Sequence, residues 1–294
     1  MRVGFVGLGL MGLAMARNVI KGGHSVSGYD LQGPALEALA EAGGSAAPTP
    51  AAVGERSQIV VVMVPNDADV REAVLGEHGI SAGLAAGDMV LVMSTISPGC
   101  TIEVGARVQG RGQRYLEAPV TRSTQHAVDG ELGILAGGSA EDLGTAREVL
   151  ELMGSDITHC GPVGTGAAMK LVNNMLAGSI SACVQEAMVL GAKAGLTQET
   201  MQGVLRGTAA DCAGLRTIER NVAAGRVFRP GFKVALQHKD MRLATTWASE
   251  IGAITPMGST THQLLGLAMA AGYADLDSGA SLRVFEQAAG TQLS

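Results

Sequence analysis

The sequence predicts an α/β half and an all-helical half joined by one long helix. Three observations carry this. Over residues 1–162, short apolar runs alternate with segments of helical periodicity, the pattern of parallel strands and their crossover helices. Residues 163–194 contain no proline, and Met169, Val172, Leu176, Ile180, Val184 and Met188 recur about one helical turn apart. From 195 to 294 the strand pattern disappears, and helical segments are expected near 197–206, 212–224, 233–251, 257–271 and 280–289.

The first half opens with an apolar run, 2–6, that ends in Gly7-Leu8-Gly9-Leu10-Met11-Gly12. A helical pattern follows to Lys21, Gly22-Gly23 stop it, and a second strand runs from Ser25 to Tyr29. G-x-G-x-x-G between a strand and a helix is suited to a dinucleotide pyrophosphate, and marks this half as Rossmann-like. Gly7 permits the tight turn, Gly9 lets the backbone approach the phosphates, and Gly12 lets helix and strand pack closely. Backbone N–H groups at the helix start, at Leu10 and Met11, favour the phosphates. Asp30, 18 residues after the last glycine, is placed to accept from the adenosine ribose hydroxyls. It would repel a 2′-phosphate, so the pattern expects NAD rather than NADP.

The alternation continues with helices at 34–42 and 50–56 around an extended piece at 45–47. Residues 58–64, QIVVVMV, form the near-continuous apolar run of a strand buried on both faces. A helix at 67–74 and a strand at 89–93 follow, the latter ending at Ser94-Thr95. Ligands bind outside the carboxyl ends of such strands, so Val64, Pro65 and Thr95 are candidates to touch the cofactor. Ser94-Thr95 read equally well as a cap for the helix after Pro98. Residues 114–120 are expected to be one strand, followed by Thr121-Arg122-Ser123-Thr124. Arg122, in a hydroxyl-rich turn beyond a strand end, suits bidentate binding of an anionic head group or is a solvated surface residue. A strand at 132–136, a helix at 139–152 and a strand at 156–160 complete this half.

Several function classes fall away on bulk properties. The net charge is −6 and no Lys/Arg run exists, so no nucleic-acid partner is expected. Polar residues interrupt each apolar run short of a membrane span, and even the long helix carries Asn173, Asn174, Gln185 and Glu186, so no membrane segment is expected. The chain enters a strand at once, leaving no room for a signal peptide. Cys100, Cys160, Cys183 and Cys212 are widely spaced and fit a reducing, cytoplasmic setting. The histidines show no paired metal spacing, so no metal is expected.

On the long helix, Lys170, Asn173, Asn174 and Ala177 fall at i, i+3, i+4 and i+7 and share one face. They are either a catalytic lysine with its orienting amide, or a lysine snorkelling beside two surface asparagines.

Four segments, in this order along the chain, resemble the β-hydroxyacid dehydrogenase family, which includes 3-hydroxyisobutyrate dehydrogenases and tartronate semialdehyde reductases. GLGLMGLAMARNVIKGGH (7–24) resembles its cofactor fingerprint and EAPVTRS (117–123) its substrate segment. GPVGTGAAMKLVNN (161–174) resembles its catalytic segment and KDMRLA (239–244) its second cofactor motif. The resemblance covers essentially the whole chain. It implies a 6-phosphogluconate dehydrogenase-like fold, with a Rossmann-like domain at 1–162, an interdomain helix at 163–194 and a helical substrate and dimerisation domain at 195–294. It also implies that Lys170 is the catalytic lysine, that Asn174 orients it or the substrate, and that Lys239 approaches the nicotinamide end of NAD(H). Thr95 matches a position near the nicotinamide ribose. A homodimer or homotetramer built around the long helix is expected.

One segment departs from the family pattern. The substrate segment is usually Asp-Ala-Pro-Val-Ser-Gly-Gly; here Val120 is followed by Thr121-Arg122-Ser123. An arginine in that turn resembles the branch of NAD-dependent 3-sulfolactaldehyde reductases, as does LRGTAADCAGLRT (205–217). A forked cation with neighbouring hydroxyls suits a sulfonate, although a carboxylate substrate of the hydroxyisobutyrate, tartronate or succinic semialdehyde type could use it too. The expected substrate is therefore a small anionic semialdehyde held by Thr121, Arg122, Ser123, Asn173 and Asn174, with Lys170 donating the proton. Free lysine titrates near ~10.4, so such a site must lower that value. An imine reductase on the same fold is a rival, but such relatives usually replace the lysine. A non-catalytic NAD-binding interaction module is a second, and would expect the lysine lost and a basic segment appended.

Overall fold

The computed structural model describes residues 1–229 and 231–293. It divides into two compact units, Met1–Lys170 and Leu171–Ser294, so the division falls inside the long helix.

The first unit begins β1 (Arg2–Val6), α1 (Leu10–Lys21), β2 (Ser25–Tyr29), α2 (Gly33–Glu41), β3 (Ser45–Ala46), α3 (Pro50–Glu55) and β4 (Ile59–Val62). It continues α4 (Asp67–Leu75), α5 (Ile80–Gly83), β5 (Met89–Val92), α6 (Pro98–Gln109), β6 (Arg114–Glu117) and β7 (Val120–Thr121). Then come α7 (Thr124–Asp129), β8 (Leu132–Gly137), α8 (Ala140–Glu151), β9 (Gly154–Gly161) and the start of α9 (Thr165–Lys193). The sheet runs β3-β2-β1-β4-β5-β6-β8-β7, with β9 also paired to β8. Pairing is parallel from β3 to β6, antiparallel between β8 and both β6 and β7, and parallel again between β8 and β9.

Alternate residues of the central strands feed two separate cores. Ile59 and Val61 of β4, with Met89 and Leu91 of β5, join the core that includes Met15 and Val19 of α1. Val60 and Val62, with Val90 and Val92, join the core under α4 and α6. Both faces are covered, and this is why the strands are apolar throughout rather than alternating.

The segment between β5 and β8 differs from expectation, and so does α5, where no element was expected. The strand expected over 114–120 is split at Ala118-Pro119 into β6 and β7, because proline has no N–H to give a ladder. The break lets the chain leave β5, and among the described residues β7 then pairs with β8 alone. The turn after β7 leads into a helix, α7, with a capping box at Ser123 and His126 where only a turn was expected.

The second unit holds the rest of α9, then α10 (Gln198–Leu205), α11 (Ala213–Ala223), α12 (Val234–Glu250), α13 (Pro256–Ala270), a 3₁₀ turn at Ser278–Ser281 and α14 (Leu282–Ala289). Thr197 caps α10 by accepting from the Thr200 amide. One core gathers Met188 and Val189 with Met201, Leu215, Ile218 and Leu282. A second gathers Val234, Met241, Leu265 and Ala268. By length and composition alone α9 could cross a membrane, contrary to the sequence expectation. Two of its polar side chains are committed within the protein, however. Gln185, 2% exposed, accepts from Ser281 Oγ at 2.8 Å, and Asn174 donates to Asp240.

Candidate active site

In the first unit the glycine-rich loop follows β1. Gly7 has φ 93°, and a Cβ there would collide with the Met63 carbonyl oxygen. A Cβ on Gly12 would collide with the Gly7 carbonyl oxygen. Gly9 is different: among the described residues a Cβ on it would meet nothing within 4 Å. So the outer two glycines serve the chain's own packing, and the middle one leaves an open cradle. Gly9 also caps α1 without a side-chain hydrogen bond. Leu10 beside it is 74% exposed, and Met11 is half-buried. A bare helix N-terminus beside open space is the geometry a pyrophosphate needs. The residues therefore fit NAD(H).

Asp30, just past β2, accepts from Leu8 N at 2.6 Å and from Gln32 N at 2.8 Å. Each carboxylate oxygen retains acceptor capacity for a ribose hydroxyl. The clamp on Leu8 was not expected, and it ties the loop to β2.

At the ends of β4 and β5, the Val64 amide donates to Ser94 Oγ at 2.8 Å, and that hydroxyl lies 3.3 Å from Val62 O. Ser94, 2% exposed, is thus a tie between strand ends, while its neighbour Thr95 is half-buried and Pro65 exposed. Asp67 joins the two following loops by accepting from Ser97 N (3.1 Å) and Ser97 Oγ (2.5 Å).

The Thr121-Arg122-Ser123 turn is more occupied than expected. Arg122 takes φ 77°, a left-handed conformation that side chains other than glycine rarely hold. Its side chain lies over Gly133 of β8. From there Nη1 donates to Glu131 O at 2.5 Å and Ser155 Oγ at 3.1 Å, and Nη2 is 3.6 Å from Asp156 Oδ2. Thr121 Oγ1 donates to Gly133 O at 3.3 Å, and Ser123 Oγ sits 2.8 Å from His126 Nδ1. The guanidinium is therefore turned towards β9.

Lys170 and Asn174 stand one helical turn apart on α9. Within the second unit Asn173 Nδ2 donates to Asn174 Oδ1 at 2.9 Å, and Asn174 Nδ2 donates to Asp240 Oδ2 at 2.6 Å. Asp240 Oδ1 lies 3.1 Å from Lys239 Nζ. An ionised carboxylate only accepts, so Asp240 fixes which end of the Asn174 amide faces it. The structure thus places Asn174 and Lys239 against Asp240, which is 3% exposed, with Asn173 joined through Asn174. Sequence reasoning assigned Asp240 no role. A signal was present: it falls four and eight residues before Ala244 and Ala248, on the buried face of α12.

Glu117 was missed in the same way. It is 1% exposed at the end of β6, inside a strand whose neighbours are apolar.

The family model described as "NAD binding domain of 6-phosphogluconate dehydrogenase" matches residues 2–161. That described as "NAD-binding of NADP-dependent 3-hydroxyisobutyrate dehydrogenase" matches residues 164–285. The chain is 36% identical over 276 residues to the Dictyostelium discoideum protein named "Probable 3-hydroxyisobutyrate dehydrogenase, mitochondrial", covering 92% of this chain and 86% of that one. It is 33% identical over 288 residues to the 3-sulfolactaldehyde reductase of Escherichia coli K12, covering 98% and 97%. A solved structure of Mycobacterium tuberculosis 3-hydroxyisobutyrate dehydrogenase with L-serine superposes with a TM-score of 0.88 at 31% identity, covering 96% of this chain and 98% of that one. The cradle at Gly9 and these full-length likenesses agree: the chain belongs to the β-hydroxyacid dehydrogenase family and is an NAD-dependent oxidoreductase.

Proposed function

We propose that the chain reduces a small anionic semialdehyde, and that the anion is the sulfonate of 3-sulfolactaldehyde. The observation that carries the reading is Arg122 held at φ 77° in the turn after β7. A left-handed arginine costs about 1–3 kcal/mol that a glycine would avoid, and such strain concentrates where a side chain has work to do. Its ion pair is weak, since Asp156 is 67% exposed and a solvated pair contributes little, and its other partners, Glu131 O and Ser155 Oγ, carry no charge. The guanidinium can therefore exchange those partners for three sulfonate oxygens.

Bound NADH supplies the hydride. In this reading Thr121, Arg122 and Ser123 hold the anion, and Asn174 orients the substrate with its amide fixed by Asn173 and Asp240. Lys170 donates a proton to the carbonyl oxygen as negative charge grows there, and accepts it in the reverse direction. Lys239 serves the nicotinamide end, its charge balanced by Asp240.

A carboxylate substrate is the second reading. It is favoured by the engagement of Arg122 with Glu131 and Ser155, which leaves the anion to the backbone and hydroxyls of the turn.

The test is kcat/KM with NADH for 3-sulfolactaldehyde, succinic semialdehyde and tartronate semialdehyde, in wild type and two variants. Lys170→Met is expected to lower kcat by at least ~10²-fold with NADH binding intact. Near-normal turnover would remove Lys170 from the chemistry. Arg122→Gly is expected to raise KM for 3-sulfolactaldehyde at least ~10-fold, as for loss of a charged contact. An unchanged KM there would leave the carboxylate reading.

A further inference from the structure

Glu117 has no part in the chemistry above, yet it is a carboxylate buried at the root of the helix that bears Lys170. Its Oε1 accepts from Gly164 N at 2.7 Å and from Gly166 N at 2.8 Å, two amides at the start of α9. Those amides belong to the helix end whose N–H groups have no partner within the helix. The slot is cut for this side chain. A Cβ on Gly137 of β8 would collide with Glu117 Oε1, and one on Gly166 would collide with Leu135 O. Gly164 takes φ 103°, which lets its N–H turn into the slot. Oε2 is buried without a hydrogen bond of good geometry among the described residues.

Burial pushes the Glu117 carboxyl up, while the Thr101 hydroxyl and the amides of Gly164, Gly166 and Ala167 oppose the rise. A serine or threonine cap would satisfy a helix start without burying a charge. What a carboxylate on β6 adds is a two-point hold between the sheet and the helix, at the positive end of the helix dipole. Lys170 lies four residues beyond Gly166, about 6 Å along the axis. A tilt at the anchor is therefore carried directly to Lys170.

We propose that Glu117 is a positioning residue for catalysis: from the end of β6 it grips the first amides of α9 and sets the placement of Lys170. The inference rests on Lys170 being the proton donor.

The test compares Glu117→Leu, Glu117→Gln and Lys170→Met, using NADH and the panel aldehyde with the highest kcat/KM. Glu117→Leu keeps the bulk but removes the acceptor that holds the two amides, and the resulting misplacement is expected to lower kcat about 10- to 100-fold. KM for NADH and NADH affinity by fluorescence should stay within about twofold, because the glycine-rich loop is untouched. Glu117→Gln keeps an oxygen for both amides, and its Nε2 takes the place of Oε2, so kcat should return to within about threefold of wild type. Melting temperatures of all variants separate unfolding from misplacement. A Glu117→Leu enzyme that melts lower but keeps wild-type kcat would overturn the inference. So would a Glu117→Gln enzyme as slow as Glu117→Leu. If Lys170→Met itself retains turnover, the reading beneath the inference fails first, and the two failures are told apart.

Discussion

The three glycines after β1 share a motif but not a physical role. Gly7 and Gly12 are hemmed in by carbonyl oxygens of Met63 and Gly7, whereas Gly9 faces open space at φ −64°, ψ −169°, which alanine can adopt. Their substitutions should therefore separate stability from binding. Gly12→Ala is expected to destabilise by about 1–3 kcal/mol, seen as a lower melting temperature, because overpacking forces the backbone apart. Gly9→Ala should melt like wild type but bind NADH about tenfold more weakly or worse, because its methyl fills the cradle. Equal loss of stability in both variants would mean that Gly9 too is structural. Arg122 shows the opposite case. Its residue type was legible as an anion binder, but its left-handed backbone and its path over Gly133 to Ser155 depend on β8 and β9 lying beside it.

At the scale of elements, α12 is read in two ways along its length. Asp240 faces Asn174, and His238 stacks near His262 of α13, ring centroids 4.5 Å apart. Burial and Arg242 hold the His238 imidazole below its usual value. Burial, His238 and Arg242 do the same for His262. The unfolded chain takes up these protons near pH ~6.5 while the folded one resists, so the unfolded state binds more protons below that value. The pair's contribution to stability is full above about 6.5 and is lost as pH falls through the lowered values. Melting temperature should thus drop from pH 7 to pH 5 more steeply in wild type than in His262→Gln. Parallel curves would show that the pair is not a source of acid sensitivity. Neither histidine could be paired from sequence, since the contact needs α12 and α13 side by side.

For the whole molecule, the sheet with two cores and the helical unit were legible because apolar periodicity follows burial directly. Strands buried on both faces read as apolar runs, and helices with one wet face read as a 3.6-residue repeat. The α9 stripe holds more than its own unit needs. Val172, Leu176 and Ile180, spaced one turn apart, are 44%, 59% and 37% exposed. A second copy of the chain covering that stripe is the expected outcome, measurable as a dimeric or tetrameric mass by light scattering. Leu176→Glu should lower that mass at equal concentration. A monomeric wild type would sink the expectation.

α5, α7 and the split of β6 from β7 escaped the sequence, but the rest of the element order, the glycine-rich loop, the acid after β2 and the lysine and asparagines of α9 were legible in it. Each of these is a local pattern, set within one strand, one turn or one helix. The partners of Asp240, Glu117 and Arg122 came only with the fold. Glu117 is separated by 47 and 49 residues from the amides it holds, and Asp240 by 66 from Asn174. A buried carboxylate is recognised by what neutralises its cost, and those partners come from elements that meet only once the chain has folded.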